Sequence, residues 1–172
     1  MKCNLGRVIA VSMGLLFILV FSYCSKSKSA PTVISQYEGS ISAQAGSASF
    51  QSTQLINATD IGGVMYLAGK QLTAGDSAAI QLTFPDSLLA NSTYQDTAGK
   101  LFVFTYFDTQ QGLNCRSGYG KPAGTLVITS YSRSAHTISG NFTGHVYPGG
   151  NGALPAVSIT NGAFSATYVP YP

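Results

Sequence analysis

Along most of the chain, apolar and polar side chains alternate with a period of two, the mark of strands that bury one face. Ile80, Leu82 and Phe84 share a face, Gln81 and Thr83 take the other, and Pro85-Asp86 turns the chain. Leu126 and Ile128 alternate with Thr125, Val127 and Thr129. Ile138, Gly140, Phe142, Gly144 and Val146 oppose Thr137, Ser139, Asn141, Thr143 and His145, and Phe164, Ala166 and Tyr168 line one side of the final run. Leu101 to Phe107 is apolar on both faces, which predicts a central or doubly covered strand. Tyr37–Ala43 and Ala48–Leu55 read as a hairpin turning at Gln44–Ser47, and Gly63–Gly69 as a further strand. Only Ser87–Ala90 has the makings of a helical turn. Asn161-Gly162 fits either a type I′ hairpin turn or a bulge inside one long strand.

Roughly eight or nine strands joined by short connections predict an all-β domain, an antiparallel meander. A meander of this size forms a β-barrel or a β-sandwich, a lipocalin-like barrel being the alternative with a cavity.

The first residues do not follow this pattern. Lys2 and Arg7 precede Val8–Phe21, a run without charge that is too short for a spanning helix and the right length for an export signal. Cys24 follows directly, and then the Ser/Lys-rich Ser25–Pro31. A cysteine in that position resembles the lipobox of bacterial lipoproteins, in which the thiol is acylated and becomes the first mature residue. Tyr23 is bulkier than the small residue a lipobox carries before its cysteine. Cleavage after Ala30 is opposed by Pro31, and an uncleaved anchor would be short. The expected organisation is a lipoprotein signal peptide over 1–23, a flexible tether over 24–35 and one β-domain over 36–172. Lipidation at Cys24 would fix the protein to a membrane, the expected location being the outer membrane of a bacterial envelope.

Composition sharpens the picture. Of 172 residues only 9% are charged, while 45% are hydrophobic and there is no tryptophan. Such a low charge excludes a disordered chain, a coiled coil and a nucleic-acid binder. The formal charge of +3 belongs to the precursor; without Lys2 and Arg7 it is +1. The polar positions are filled by Ser, Thr, Asn and Gln, which suit strand surfaces exposed to water. Cys3 lies in the signal and Cys24 at its end, leaving Cys115 alone in the domain without a disulfide partner.

Three pieces of the C-terminal half carry a resemblance: Gly124-Thr125-Leu126-Val127-Ile128-Thr129, Ile138-Ser139-Gly140-Asn141-Phe142, and Ile159-Thr160-Asn161-Gly162-Ala163-Phe164. Gly46-Ser47-Ala48-Ser49-Phe50 echoes the same family's first strand. With the signal, they resemble a family of uncharacterised exported lipoproteins of Bacteroidota-type bacteria. The resemblance implies a lipid-anchored, β-rich domain and carries over no catalytic or binding residue.

Candidate chemistry is sparse. No nucleophile-elbow, zincin, P-loop or dinucleotide motif occurs, and no cofactor is expected. His136 and His145 are too far apart in sequence for a compact zinc motif, so no metal site is expected. Cys115 lies in the loop-like Gln111–Gly120 beside Arg116, and with His136 as base it is the one candidate nucleophile for a hydrolase. Tyr94, Tyr106, Tyr119, Tyr131, Tyr147, Tyr168 and Tyr171 read as strand-end rings with wet hydroxyls, a sugar-stacking surface being the functional alternative. The Asn57, Asn91 and Asn141 glycosylation sequons follow from composition, and Pro148–Gly152 reads as a hairpin loop. The expectation is therefore a non-catalytic binding or structural domain with an envelope partner, a carrier of a small apolar ligand being the alternative.

Overall fold

In the computed structural model, residues 37–88, 90–118, 120–149 and 156–171 are described. The segments expected to be signal peptide and tether, with Cys24, lie outside them, as do Leu89, Tyr119 and most of the glycine-rich loop after Pro148. The described residues form β1 (Gly39–Ala45), β2 (Ala48–Gln51), β3 (Gln54–Ile61), β4 (Val64–Thr73), β5 (Asp76–Pro85) and β6 (Ser92–Asp96). They continue as β7 (Val103–Asp108), β8 (Leu113–Arg116), β9 (Gly124–Ser132), β10 (Thr137–Pro148), β11 (Val157–Thr167) and β12 (Val169–Tyr171).

All twelve belong to one sheet whose pairing runs β12-β3-β4-β5-β7-β8-β10-β11-β1-β2, with β9 and β6 branching from β10. The sheet is all-β and mostly antiparallel as expected, but it is not closed into a barrel. It also forks at β10. Thr137–Gly144 pairs with β9, whereas Tyr147 and Pro148, further along the same strand, pair with Arg116 and Cys115 of β8. The sheet forks there into a first arm, β12-β3-β4-β5-β7-β8, and a second arm, β2-β1-β11-β10-β9-β6. The outermost strands β12 and β2 do not pair with each other.

The inward faces of the arms share one core. Phe84 of β5 meets Phe164 of β11 at a ring-centroid distance of 6.1 Å, and Phe104 of β7 meets Phe142 of β10 at 5.4 Å. The alternation read for Ile80, Leu82 and Phe84, for Ile138 to Val146, and for Phe164, Ala166 and Tyr168 holds, each of these hydrophobic side chains being buried. β7 follows one of the two readings of its pattern. Phe102, Phe104 and Tyr106 are buried, but Phe107 is 41% exposed on the other side, so the strand is central without being doubly covered.

The strand count of eight or nine falls short because three strands are too short to show a period. β6, β8 and β12 have five, four and three residues. β12 is also the exception to the antiparallel rule, pairing parallel with Thr59–Ile61. The run Ala48–Leu55 is two strands, since the backbone changes partner at its middle: Ser52 N–H donates to Ile41 and Thr53 N–H to Lys70. At Asn161-Gly162 the chain makes a bulge within β11, Phe142 and Gly144 of β10 facing Gly162 and Ile159. Gly62 and Gly63, both at positive φ (58° and 81°), form the tight β3–β4 turn, as a type I′ geometry demands.

Gly144 reports on how closely the arms approach. A Cβ there would come within 2.1 Å of the Ala123 carbonyl oxygen and 2.9 Å of the Phe104 ring. The backbone oxygen has nowhere to go. Gly144→Ala should therefore destabilise the domain by about 2 kcal/mol or more through overpacking, measured as a lower urea midpoint at unchanged slope.

Candidate functional site

The candidate nucleophile comes first. Cys115 is fully buried on β8, and burial pushes its thiol above the ordinary value. It pairs across the sheet with Pro148, at the far end of β10 from His136, which precedes Thr137. The intervening strand is on the order of 30 Å long at the usual rise per residue, so the structure does not bring the Cys–His pair together. His136 sits at φ 52° in the β9–β10 turn, its ring 5.6 Å from that of Tyr168 and its Nδ1 buried without a hydrogen-bond partner. His145 is exposed on the outer face of β10. Among the described residues no three His, Cys, Asp or Glu side chains converge.

Two carboxylates that composition left among scattered acids are built into the fold. Asp96, 4% exposed at the end of β6, accepts backbone N–H donors from Ala98 and Lys100 on Oδ1 (3.1 and 3.0 Å) and from Leu101 and Phe102 on Oδ2 (2.8 and 3.3 Å). Burial by itself would raise its pKa, but these donors outweigh burial and hold the carboxyl below the usual aspartate value. Asp108, 5% exposed, accepts from the Tyr106 hydroxyl at 2.7 Å and from the Gln111 backbone and side-chain amides at 3.0 Å each. It too is held low against burial. Neither is poised to donate a proton at neutral pH; both serve as acceptors that close loops.

Tyr106 and Tyr168 correct the expectation of wet tyrosine hydroxyls. Both rings are buried, and burial, then the hydrogen bonds to Asp108 and Tyr131 respectively, push both phenols well above the ordinary value.

One concavity lies outside the core, on the outer face of the first arm. Its volume is about 600 Å³, and it is lined by Tyr66, Gln81, Thr83, Val103, Thr105, Asn114, Arg116 and Gly149. The register explains this company. Tyr66, Thr83 and Val103 pair in one row across β4, β5 and β7, and Gln81, Thr105 and Arg116 in the next across β5, β7 and β8. Neighbouring side chains within a row stand roughly 4.8 Å apart, the spacing of strands. Gln81 donates from Nε2 to Thr83 Oγ1 at 3.3 Å, while Arg116 and Asn114 are exposed. No carboxylate lines the groove, and among the described residues none lies within ion-pair distance of Arg116.

The second arm presents different chemistry. Ser40 and Ser42 of β1, Ser139, Asn141 and Thr143 of β10, and Ser158, Thr160, Ser165 and Thr167 of β11 form a hydroxyl and amide surface. Sequence reasoning singled out Arg116 only as a neighbour of Cys115, and it missed Tyr66, Gln81 and Asn114 altogether. Outward positions on four strands become one site only through register. No protein-family model, curated protein or solved structure matches the chain.

Asp96 gives a test of the loop-closing role. Asp96→Ala leaves four backbone N–H groups, one buried and three partly buried, without their acceptor and should cost about 2 kcal/mol at pH 7, with Asp96→Asn, which keeps one acceptor oxygen, falling between. Because the folded pKa is depressed, this stabilisation is complete above the unfolded value of about 3.9 and is lost as pH falls through the folded one. Urea titrations from pH 7 to pH 2 should show the wild type converging on Asp96→Ala only in acid.

Proposed function

We propose that the chain is a non-catalytic binding domain, lipid-anchored in a bacterial cell envelope, that meets its ligand on the outer face of the first arm. The fold is read as a two-layer sandwich, with the arms as layers. The observation that carries the proposal is the contrast between inside and outside. Phe84, Phe102, Phe104, Phe142 and Phe164 converge in the shared core, leaving the aromatic interior committed to packing. The groove on the first arm instead combines a phenol, amides, hydroxyls and one guanidinium, the mixture of an orienting site.

The carrier reading draws no support from this arrangement, because an apolar ligand would need the space those rings occupy. The hydrolase reading would need a thiolate at Cys115, and burial works against one. The anchor rests on the apolar run before Cys24 and the resemblance to exported lipoproteins.

Each half of the proposal has its own test. Wild type should incorporate labelled palmitate and accumulate as precursor under globomycin; Cys24→Ala should take up no label. Unchanged labelling of that variant would remove the anchor. For the binding face, radical footprinting of the full chain in intact cells should show protection of Tyr66, Phe107 and Tyr147 relative to the purified protein. Equal reactivity of Tyr66, Phe107 and Tyr147 in the two settings would refute the assignment.

A further inference from the structure

We propose that the groove on the first arm binds a carboxylated polysaccharide, with Arg116 pairing a uronate carboxylate and the Tyr66 ring packing against a sugar face. The inference rests on the reading of that face as the binding surface and adds the class of ligand.

The position of the groove excludes one common mode of recognition. It lies mid-sheet over β4, β5, β7 and β8, whose backbone groups pair with one another, so an extended peptide finds no free edge to join. Side chains alone must recognise the ligand. Apart from Gly149, the lining is one phenol, one valine, two amides, two threonine hydroxyls and one guanidinium. A peptide anchored by apolar side chains would find only Val103 and Tyr66 to pack against. A chain of sugars offers hydroxyls that both donate and accept, the counterpart of Gln81, Asn114, Thr83 and Thr105. Its C–H faces fit an aromatic ring, supplied here by Tyr66.

Charge selects among sugars. Arg116 is exposed, is the groove's only charged side chain, and has no acidic partner among the described residues. A guanidinium presents a planar fork that matches a carboxylate through two parallel hydrogen bonds. A single cation is too few for a nucleic acid, whose affinity rests on many phosphate contacts. One carboxylate per binding register suits it.

Isothermal titration of the full chain in detergent with oligogalacturonate tests this, with a neutral xylo-oligosaccharide of equal length and a sulfated oligosaccharide as comparison ligands. Oligogalacturonate should bind, and Arg116→Gln and Tyr66→Ala should each weaken it at least tenfold. Arg133→Gln removes a cation outside the groove, paired with Asp86 at 2.9 Å, and should change nothing. The neutral and sulfated oligomers should bind at least tenfold more weakly. Equal affinity for the neutral oligomer, insensitive to Arg116→Gln but lost in Tyr66→Ala, would overturn the acidic class while leaving the face. Preference for the sulfated oligomer would overturn the carboxylate. Absence of all saccharide binding would overturn the glycan proposal even where the footprint in cells persists, and loss of that footprint as well would remove the face itself.

Discussion

Phenylalanine rings laid over positions without a Cβ hold the two arms together. On the second arm, Gly140 of β10 pairs with Phe164 of β11, and Phe142 with Gly162. A Cβ at Gly140 would come within 2.6 Å of the Phe164 ring, and one at Gly162 within 2.7 Å of the Phe142 ring. Each ring thus covers the glycine opposite. Gly144 performs the same service across the core, admitting Phe104 from the first arm. Phe104 is fixed in turn at its backbone, its N–H donating to Ser117 Oγ at 2.8 Å and its carbonyl accepting from Ser117 N–H at 2.9 Å. Around these rings, aliphatic side chains such as Leu67, Ile80, Leu82, Leu126, Ile128 and Val146 complete the buried core.

This packing accounts for the rest of the chain's chemistry. Within an apolar core, the two buried acids Asp96 and Asp108 are spent as hydrogen-bond acceptors for neighbouring loop groups. The outer faces carry strand-compatible hydroxyls and amides in place of charge. Among the described residues the one ion pair, Arg133 with Asp86, adds little to stability at its accessible position. An almost uncharged surface has a consequence for recognition as well. A single cation such as Arg116 stands out electrostatically on it, where on an ordinary surface it would be lost among neighbours of both signs.

What could be read from the sequence follows from which physical signals are local. Burial alternates along a strand, so Ile80-Leu82-Phe84 and Ile138 to Val146 announced their inward faces without any structure. Asn161-Gly162 announced a departure from regular pairing, but a turn and a bulge ask for the same left-handed backbone, and only the paired partners on β10 and β1 distinguish them. Leu113–Arg116 shows two inward positions, too few to make a period, and reads as loop. The barrel expectation failed for a related reason. Closure depends on whether the edge strands β12 and β2 find each other, and strands of three and four residues leave no mark of their partners in the pattern.

The groove lies at the far end of that scale. Tyr66, Gln81, Thr105 and Arg116 are ordinary outward residues of four strands, none of them a binding residue in its own run. Their conjunction is a product of register: Gln81 faces Thr105, which faces Arg116, and a slip of one residue in β7 would turn Thr105 inward and bring Phe104 out. The buried rings forbid that slip, since Phe104 is held between Phe102, Phe142 and the space left at Gly144. The inner face therefore sets the outer one. A substitution that loosened Phe104 would disturb the groove without touching any residue that lines it.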